Sequence, residues 1–389
     1  MSSSAATLKT IAPFLDPHLL LFTLQETTDA KATGALQTQI KNKLLMSKKD
    51  EAKTLEESAK KEAQKLLDIL NGPDFTKLRE EHRFTLESLK KEKGINISDC
   101  QKLQNYAKIL YEQGKYKGKF LECFYQYIYI DSEKLLFSLK EILVNESQSN
   151  SELMLQVFWG LLACEILNGK GRDVVEHTSL KKMKELIEKR FGAWDSLISA
   201  GSQEFTQTMC WMLHWLLIYS FTAKDLTNNG LFATILTDHQ LYGNLFLNVI
   251  QLRSSSLSRY MISSFLLARG QPKAKYQVNK NALEEVALPI ALENLQTGSS
   301  TDAFSGFLKA IYEDYDLDKA LQLVEEMAKQ AGEDFLLKNY VFDIKKQAYL
   351  LIFQTKCKVF RTVQAAEIKK YLGAQASVED ACQDIATHL

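Results

Sequence analysis

The sequence predicts an all-helical protein, and three observations support this fold class. The 389 residues include only 5 prolines and 17 glycines, which are few for a sheet protein with many turns. Apolar residues recur every three or four positions through most of the chain, and little alternation typical of strands precedes residue 355. Hydrophobic residues make up 46% of the chain, so it can bury a sizeable core.

Composition limits the classes of function. Lys and Arg together number 48, as do Asp and Glu, so no net charge draws the chain towards nucleic acid or membranes. The longest apolar run, 209–221, is shorter than the roughly 20 residues of a membrane span and predicts a buried helix. The start, MSSSAATLKT, lacks a signal-peptide pattern. The cysteines are scattered, as expected for reduced thiols: Cys100, Cys123, Cys164, Cys210, Cys357 and Cys382. We therefore expect a soluble, cytoplasmic protein.

The first helices follow from their start and stop signals. Residues 11–25 read IAPFLDPHLLLFTLQ, where Asp16 is expected to cap a helix that has Pro17 at its first position. The stretch 41–93 is rich in Lys and Glu, and Asn71-Gly72-Pro73 marks a helix end. We interpret its charges as a solvated helical face with weak ion pairs, and the alternative is a basic arm. The predicted apolar stripe is Leu55, Ala59, Leu66, Ile69 and Leu70.

Helix–turn–helix units come next. The stretch 106–130 turns at Gly114, 157–187 turns at Asn168-Gly169, and 304–330 turns at Asp314 to Asp316. Their irregular spacing predicts a degenerate helical repeat, in which each pair buries one face on its neighbour. The aromatics of 106–130 could form a nucleic-acid stacking platform or fill the wedge between two helices. The spacing of Tyr106, Ile109 and Leu110 favours packing, with Gly114 in a left-handed conformation.

The C-terminal stretch has a different pattern. A β-branched strip at Arg361 to Gln364 precedes a helix that carries Ile368 and Leu372 and stops at Gly373. Ser377 then caps a second helix, with Asp380 in the capping-box position. Together these elements predict helix-turn-helix geometry.

Catalytic and cofactor motifs are missing from the sequence. It contains no G-x-G-x-x-G after a strand, no P-loop and no H-E-x-x-H. Cys210 and His214 have the i, i+4 spacing of two metal ligands, but a structural zinc site needs four. We interpret both as core residues. The sequence therefore predicts no catalytic, cofactor-binding or metal-binding residue, and no small-molecule substrate.

Direct DNA reading by the last helix is disfavoured. That helix, 377–389, carries Glu379, Asp380 and Asp384 without Lys or Arg, so phosphates would be repelled. A protein-docking role fits better, and the predicted partner-binding residues are Ile368, Leu372, Lys369 and Lys370. Weak RNA contact within a larger complex is expected at lysines such as those at 181, 182, 345 and 346.

Five segments in order carry a family resemblance. They are IAPFLDPHLLLFTLQ, NYAKILYEQGKYKGKFLECFYQYIYI, WMLHWLLIYSF, YEDYDLDKALQLVEE and DFLLKNYVFDIKKQAYLLIFQTKCKVFRTVQAAEIKKYLG. From about residue 11 to 372 they resemble the PCI-domain subunits of translation initiation factor 3. The proteasome lid and the COP9 signalosome contain members of the same family.

The resemblance implies an all-α fold in which a right-handed helical-repeat solenoid of the TPR/HAT-like type leads into a PCI domain. The repeat arm would cover 1–208, with the charged helical segment at 41–93. The PCI domain would cover 209–389, with its helical part at 209–355 and its winged helix at 356–389. The family continues through two wing strands and a tail beyond the point that corresponds to Leu389, so either the winged helix lacks its wing or the numbering omits residues.

The implied function is a non-catalytic scaffold of initiation factor 3 that binds other subunits, c, d and l among them, and the small ribosomal subunit. One alternative is a scaffold of the proteasome lid or signalosome. The other is a winged-helix protein that binds nucleic acid.

Overall fold

The computed structural model describes residues 11–26, 30–44, 48–73, 75–81, 83–115, 132–143, 151–168, 182–188, 203–222, 229–237, 243–253, 255–269, 281–297 and 302–359. Within these ranges the regular elements are helices, and none is a strand. The prediction of an all-helical protein is therefore confirmed for the part of the chain that the structure describes.

The chain divides into two compact units. We call Leu15–Phe205 the N-terminal unit, and Met1–Phe14 together with Thr206–Leu389 the C-terminal unit. The C-terminal unit is thus discontinuous in sequence, because its first segment precedes the whole of the N-terminal unit. No pattern in the sequence predicts that the residues up to Phe14 group with the C-terminal half.

The N-terminal unit contains eight labelled helices among its described residues. They are α1 (Pro17–Glu26), α2 (Ala30–Lys43), α3 (Lys49–Leu70), α4 (Phe75–Glu80), α5 (Leu86–Lys93), α6 (Ile97–Glu112), α7 (Ser132–Leu143) and α8 (Ser151–Asn168), and residues 182–188 are also helical. Helix α3 packs on α6, α6 on α7 and α7 on α8, while α1 contacts α2 and α8. Neighbouring helices in this unit therefore bury their faces on one another, as in a helical repeat.

Helices α3 and α6 form an antiparallel pair. Near the start of α3, the carbonyl oxygen of Ala52 accepts a hydrogen bond from Nε2 of Gln113, just past the end of α6 (2.9 Å). One turn further on, Lys115 Nζ donates to Glu56 Oε2 at 2.7 Å. At the other end, Lys65 donates to the carbonyl of Gly94, which precedes α6. These bonds fix the two helices side by side along their length.

The predicted start of α1 is confirmed. Asp16 Oδ1 accepts from the backbone N–H of Leu19 at 2.8 Å, and Pro17 is the first helical residue. The other carboxylate oxygen accepts from the hydroxyl of Tyr111, at the end of α6 (2.5 Å). One side chain thus caps α1 and joins it to a helix about 95 positions further along the chain.

The apolar stripe of α3 differs in part from the prediction. The helix ends at Leu70 as expected, and Ala59 and Leu66 are buried. Leu55, however, is 43% exposed, so its assignment to the buried stripe is wrong. The buried positions are Ala52, Ala59, Ala63, Leu66 and Leu67. Their centre lies about 60° around the helix from Leu55 at 100° per residue, so Leu55 sits at the margin of the face that packs on α6.

The turn after α6 agrees with its prediction. Gly114 has φ 78°, the left-handed conformation that glycine adopts at little cost. Tyr106 and Leu110 are buried, while Ile109 is half-buried. These side chains pack inside the unit, which supports the packing interpretation for this half of the aromatic stretch. Residues 116–131 of that stretch lie outside the described residues, as do 169–181, which include Gly169 of the second predicted turn, Asn168-Gly169.

The C-terminal unit begins with a single turn of 3-10 helix at Ala12–Phe14 and resumes within α9. Its helices are α9 (Gln203–Thr222, from Thr206 onwards), α10 (Asn229–Thr237), α11 (Gly243–Arg253), α12 (Ser258–Arg269), a π-helical segment (Leu283–Ala287), α13 (Leu288–Gln296), α14 (Ala303–Tyr312), α15 (Leu317–Glu333) and α16 (Val341–Val359). Helix α12 is central, because it contacts α10, α14, α16 and the π-helical segment.

The predicted helical pair at 304–330 is confirmed by α14 and α15. The turn between them, 313–316, is closed by a hydrogen bond from the backbone N–H of Asp316 to the carbonyl of Ala310 (2.8 Å). Asp316 then caps α15 by accepting from the N–H of Lys319 at 3.0 Å. Tyr315 takes φ 52° in this turn, where glycine would be the usual choice.

Aromatic side chains fill the core of the C-terminal unit. The ring of Phe221 lies 5.9 Å from the rings of both Tyr260 and Tyr340, and 6.3 Å from that of Phe232. The hydroxyl of Tyr340 donates to the carbonyl of Phe221 at 3.1 Å. The end of α9 is therefore joined to α10, α12 and the residue just before α16 through one cluster.

Candidate functional site

Large apolar side chains on the surface are the first candidates for partner binding. Among the described residues the exposed ones are Leu55, Phe137, Trp211, Tyr315, Phe342 and Val359. Phe342 has the largest exposed fraction, 78%. Exposed aromatic side chains are enriched among the residues that dominate protein–protein binding. Phe342 is therefore the first position to consider as a contact for another chain.

Phe342 lies on the face of α16 opposite the core. Ile344 and Ala348 are fully buried, and at 100° per residue Phe342 points about 160° away from Ile344. The same outer face carries Lys345 and Tyr349, at spacings of three and seven residues from Phe342. Packing on α12 and α15 thus directs the apolar stripe of α16 inwards and leaves a phenylalanine outside.

Glu325 of α15 holds the polar part of this surface in place. It accepts a hydrogen bond from Lys345 Nζ at 2.8 Å and another from the hydroxyl of Tyr349 at 2.5 Å. The Lys345 ammonium also lies 5.8 Å from the centre of the Tyr349 ring. We call Glu325, Phe342, Lys345 and Tyr349 the α15–α16 face.

On the α15–α16 face, the positive charge of Lys345 is balanced by the carboxylate of Glu325. Hydrogen bonds from Lys345 and, to a smaller extent, Tyr349 lower the pKa of Glu325. The pKa of Tyr349 is raised, first by burial and second by its hydrogen bond to Glu325. Lys345 is already paired with a carboxylate, so an RNA phosphate would have to compete with Glu325 for it. The face is better suited to a protein with an apolar side chain for Phe342 and hydrogen-bonding groups for its neighbours.

The N-terminal unit has an exposed aromatic of its own. Phe137 of α7 is 45% exposed, and the Lys140 ammonium lies 5.6 Å from its ring centre and 5.8 Å from that of Phe158 on α8. One lysine therefore bridges an exposed and a buried ring by cation–π contacts. This arrangement exposes an aromatic ring on the surface of α7.

The Cys210–His214 pair is part of the core, as the sequence analysis interpreted it. His214 is buried, and its Nδ1–H donates to the carbonyl of Cys210 at 2.6 Å. Burial lowers the pKa of His214 to about 4. Among the residues described, no three His, Cys, Asp or Glu side chains are grouped so that they could hold a metal ion. In the same part of the chain, no helix is both long and apolar enough to cross a membrane.

The predicted partner-binding residues Ile368, Leu372, Lys369 and Lys370 lie outside the described residues, as does the whole of 360–389. Of the lysines predicted to contact RNA, Lys181 also lies outside, and Lys182 is half-buried. Sequence reasoning missed Phe342 altogether. The signal was available, because V-F-D-I at 341–344 has one apolar residue more than a single helical face can bury.

The fold and the surface together define a class of protein. In the part of the chain that the structure describes, it is an all-helical protein of packed helix pairs with aromatic side chains exposed on its surface. The particular proteins that it is similar to are curated relatives, each named as the E subunit of eukaryotic translation initiation factor 3.

Three of these relatives come from distant organisms. The chain is 25% identical to the one from Sclerotinia sclerotiorum over 80% of its own length and 61% of the relative. It is 24% identical to the one from Cryptococcus neoformans over 83% of its length and 64% of the relative. The relative from Arabidopsis thaliana is 27% identical over 82% of the chain and 64% of the relative. The resemblance stated from the sequence is thereby confirmed.

The chain spans about three fifths of the length of these relatives. No protein-family model matches it.

Proposed function

We propose that this chain is a subunit of translation initiation factor 3 and acts as a non-catalytic scaffold in the assembly. One observation carries the proposal: fungal, insect and plant relatives that are named as the E subunit of this factor match 77% to 93% of the chain. Packed helix pairs with exposed aromatic side chains support it, because a helical-repeat protein presents extended surfaces to other chains.

The proposal assigns different roles to two parts of the chain. Residues 1–208 would form the repeat arm, and 209–389 a PCI domain with its winged helix at 356–389. The consecutive packing of α14, α15 and α16 is compatible with the helical part of such a domain. The α15–α16 face and the predicted residues Ile368, Lys369, Lys370 and Leu372 would then contact neighbouring subunits.

The proposed partners are the c, d and l subunits, the small ribosomal subunit and, weakly, RNA. The balance of 48 basic and 48 acidic residues supports protein contacts over a phosphate-driven interaction. The proposed location is the cytoplasm, where initiation takes place.

Affinity purification of the tagged full chain from its own cells, followed by mass spectrometry, tests the proposal. We expect the other initiation factor 3 subunits in near-equal amounts, together with proteins of the small ribosomal subunit. The subunits should remain bound after nuclease treatment, whereas ribosomal proteins should decrease.

Two outcomes would contradict the proposal. Recovery of proteasome-lid or signalosome subunits without ribosomal proteins would assign the chain to another PCI assembly. Loss of every partner on nuclease treatment would favour the nucleic-acid-binding alternative. The same tag on an unrelated cytoplasmic helical-repeat protein provides the background.

A further inference from the structure

Three segments of the C-terminal unit meet at a buried group of charges. Nε of Arg259, on α12, donates to Oδ1 of Asp302, immediately before α14, at 3.0 Å. Nη1 of Arg259 also lies 3.6 Å from Oδ2 of Asp334, immediately after α15. The hydroxyl of Tyr260 donates to Oδ2 of Asp334 at 2.8 Å. Asp302 is 6% exposed and Asp334 is not exposed at all.

The two carboxylates differ in how well they are satisfied. Besides Tyr260 and Arg259, Asp334 accepts from the backbone N–H groups of Leu336 (2.9 Å) and Leu337 (3.4 Å) through Oδ1. Oδ2 of Asp302, by contrast, is buried and has no hydrogen-bond partner. One guanidinium therefore faces two carboxylates, so one negative charge is in excess. At Oδ2 of Asp302 no hydrogen-bond donor stabilises that charge. Burying such a charge is more costly than burying a neutral carboxyl.

We propose that Asp302 is a buried proton-binding site, protonated at Oδ2, and that its proton makes the contact between α12, α14 and α15 sensitive to pH. With the proton bound, Asp302 is neutral and the single charge of Arg259 is balanced by Asp334. Loss of the proton leaves a second carboxylate in the same enclosed space. The start of α14 then becomes the weakest part of the contact.

The charged groups around Asp302 support this assignment. Burial is the largest influence on Asp302 and raises its pKa. Arg259 and, more weakly, the backbone N–H of Phe304 oppose that rise, while Asp334 reinforces it. From α15 the neutral Gln330 reaches this end of α14, where its Oε1 accepts from the N–H of Ala303 at 3.2 Å. From α13, the carboxylate of Glu293 is occupied by Gln251.

Two further charges belong to the opposite end of α14. Glu284 of the π-helical segment and Arg269 of α12 both act on Tyr312, the last residue of that helix. Among the described residues packed on α14, Arg259 and Asp334 are therefore the charges that act on Asp302.

The sign of the pH dependence follows from the raised pKa. A carboxyl whose pKa is higher in the folded than in the unfolded chain stabilises the fold fully below the unfolded value. That stabilisation is lost as pH rises through the folded pKa. An ion-paired carboxylate with a lowered pKa would give the opposite trend.

The test compares the wild-type full chain with Asp302→Asn, which imitates a permanently neutral carboxyl. Urea unfolding is monitored by circular dichroism at pH values from 4.5 to 8. We expect the unfolding equilibrium constant of the wild type to rise with pH relative to that of the variant, up to tenfold for each pH unit below the folded pKa. Asp318→Asn on the exposed side of α15 is the control for the change in net charge.

Asp334→Asn is the matched variant within the network. The variant puts an N–H donor in place of the oxygen that accepts from Tyr260 and faces Arg259. The unfolding equilibrium constant should therefore be at least tenfold larger than that of the wild type at every pH. A wild-type to Asp302→Asn difference that is constant from pH 4.5 to pH 8, or that grows in favour of the wild type, would overturn the proposal.

A second measurement is independent of whether Asp302→Asn folds. Infrared spectroscopy of the wild type at pH 7 should show the carbonyl stretch of a neutral carboxylic acid. Burial also raises the pKa values of Asp16 and Asp334, so Asp16→Asn and Asp334→Asn remove these two carboxyls in turn as sources of the band. A spectrum of Asp16→Asn without that band at pH 7 would contradict a protonated Asp302.

Discussion

Trp215 donates its indole N–H to the carbonyl oxygen of Phe14 at 3.0 Å, across 201 positions of sequence. The Phe14 ring stacks on the neighbouring His214, with 4.2 Å between ring centres. Ile11, one turn earlier, is fully buried. The segment 11–14 is thus a structural part of the C-terminal unit, and a fragment that starts at 206 lacks it.

The first prediction concerns this hydrogen bond. Trp215→Phe keeps an aromatic ring but removes the donor, so we expect a loss of about 1 kcal/mol in the free energy of unfolding. Urea unfolding of the full chain measures the effect.

Trp211→Phe is the control for that variant, because Trp211 lies on the same helix, is 42% exposed and should tolerate the change. Equal stability of the Trp215→Phe variant and the wild type would contradict a structural role for the 11–14 segment.

His214 should make stability fall in acid. Its pKa of about 4 lies below the ordinary value of 6.5 because the ring is buried. A lowered folded pKa gives stability that is complete above pH 6.5 and is lost as pH falls towards 4. The shift corresponds to about 3 kcal/mol. Unfolding curves of His214→Gln across this range should show a shallower decline.

His18 in the N-terminal unit has the same sign and also a pKa of about 4, so the His214→Gln variant should retain part of the acid sensitivity. The double variant with His18→Gln should lose most of it. An unchanged pH profile for His214→Gln would refute the assignment.

Two turns allow a paired test of backbone strain. Gly114 and Tyr315 both have positive φ, 78° and 52°. Gly114→Ala should destabilise the chain by about 1 kcal/mol, because a Cβ is disfavoured in this conformation. Tyr315→Gly should stabilise it by up to about 1 kcal/mol, since Tyr315 is 63% exposed and little packing is lost. Thermal unfolding of both variants should give shifts of opposite sign.

Phe342 should matter for partner binding and not for folding. Phe342→Ser removes a side chain that is 78% exposed, so the unfolding temperature should stay close to that of the wild type while recovery of partner subunits decreases. Ile344→Ser, two residues away and fully buried, should instead cost about 3 kcal/mol of stability. Undiminished partner recovery with Phe342→Ser would exclude the α15–α16 face as an interface.

The predicted residues near the C-terminus give the last test. Replacing Ile368 and Leu372 with Asp should reduce assembly with other subunits. Circular dichroism separates the two explanations: lost assembly with an intact fold indicates an interface, and melting indicates a core role. Full assembly by a folded double variant would remove both residues from the interface.

Local signals in the sequence were sufficient for several elements. Asp16 capped α1, Asn71 followed the last residue of α3, and Asp314 to Asp316 formed the turn before α15, as predicted. Caps and turns depend on a few adjacent residues, so they can be predicted from the amino-acid sequence. The same reasoning placed Leu55 in the core and was wrong, because which edge of a stripe is covered depends on the partner helix.

By itself, then, the sequence determined the helical class, the positions of several helix ends and the likeness to initiation factor 3 subunits. Only the tertiary structure joined Phe14 to Trp215, brought Arg259, Asp302 and Asp334 together and left Phe342 outside. The physical reason is separation along the chain. Helix periodicity is set within one or two turns, whereas each of these contacts depends on how helices many residues apart pack.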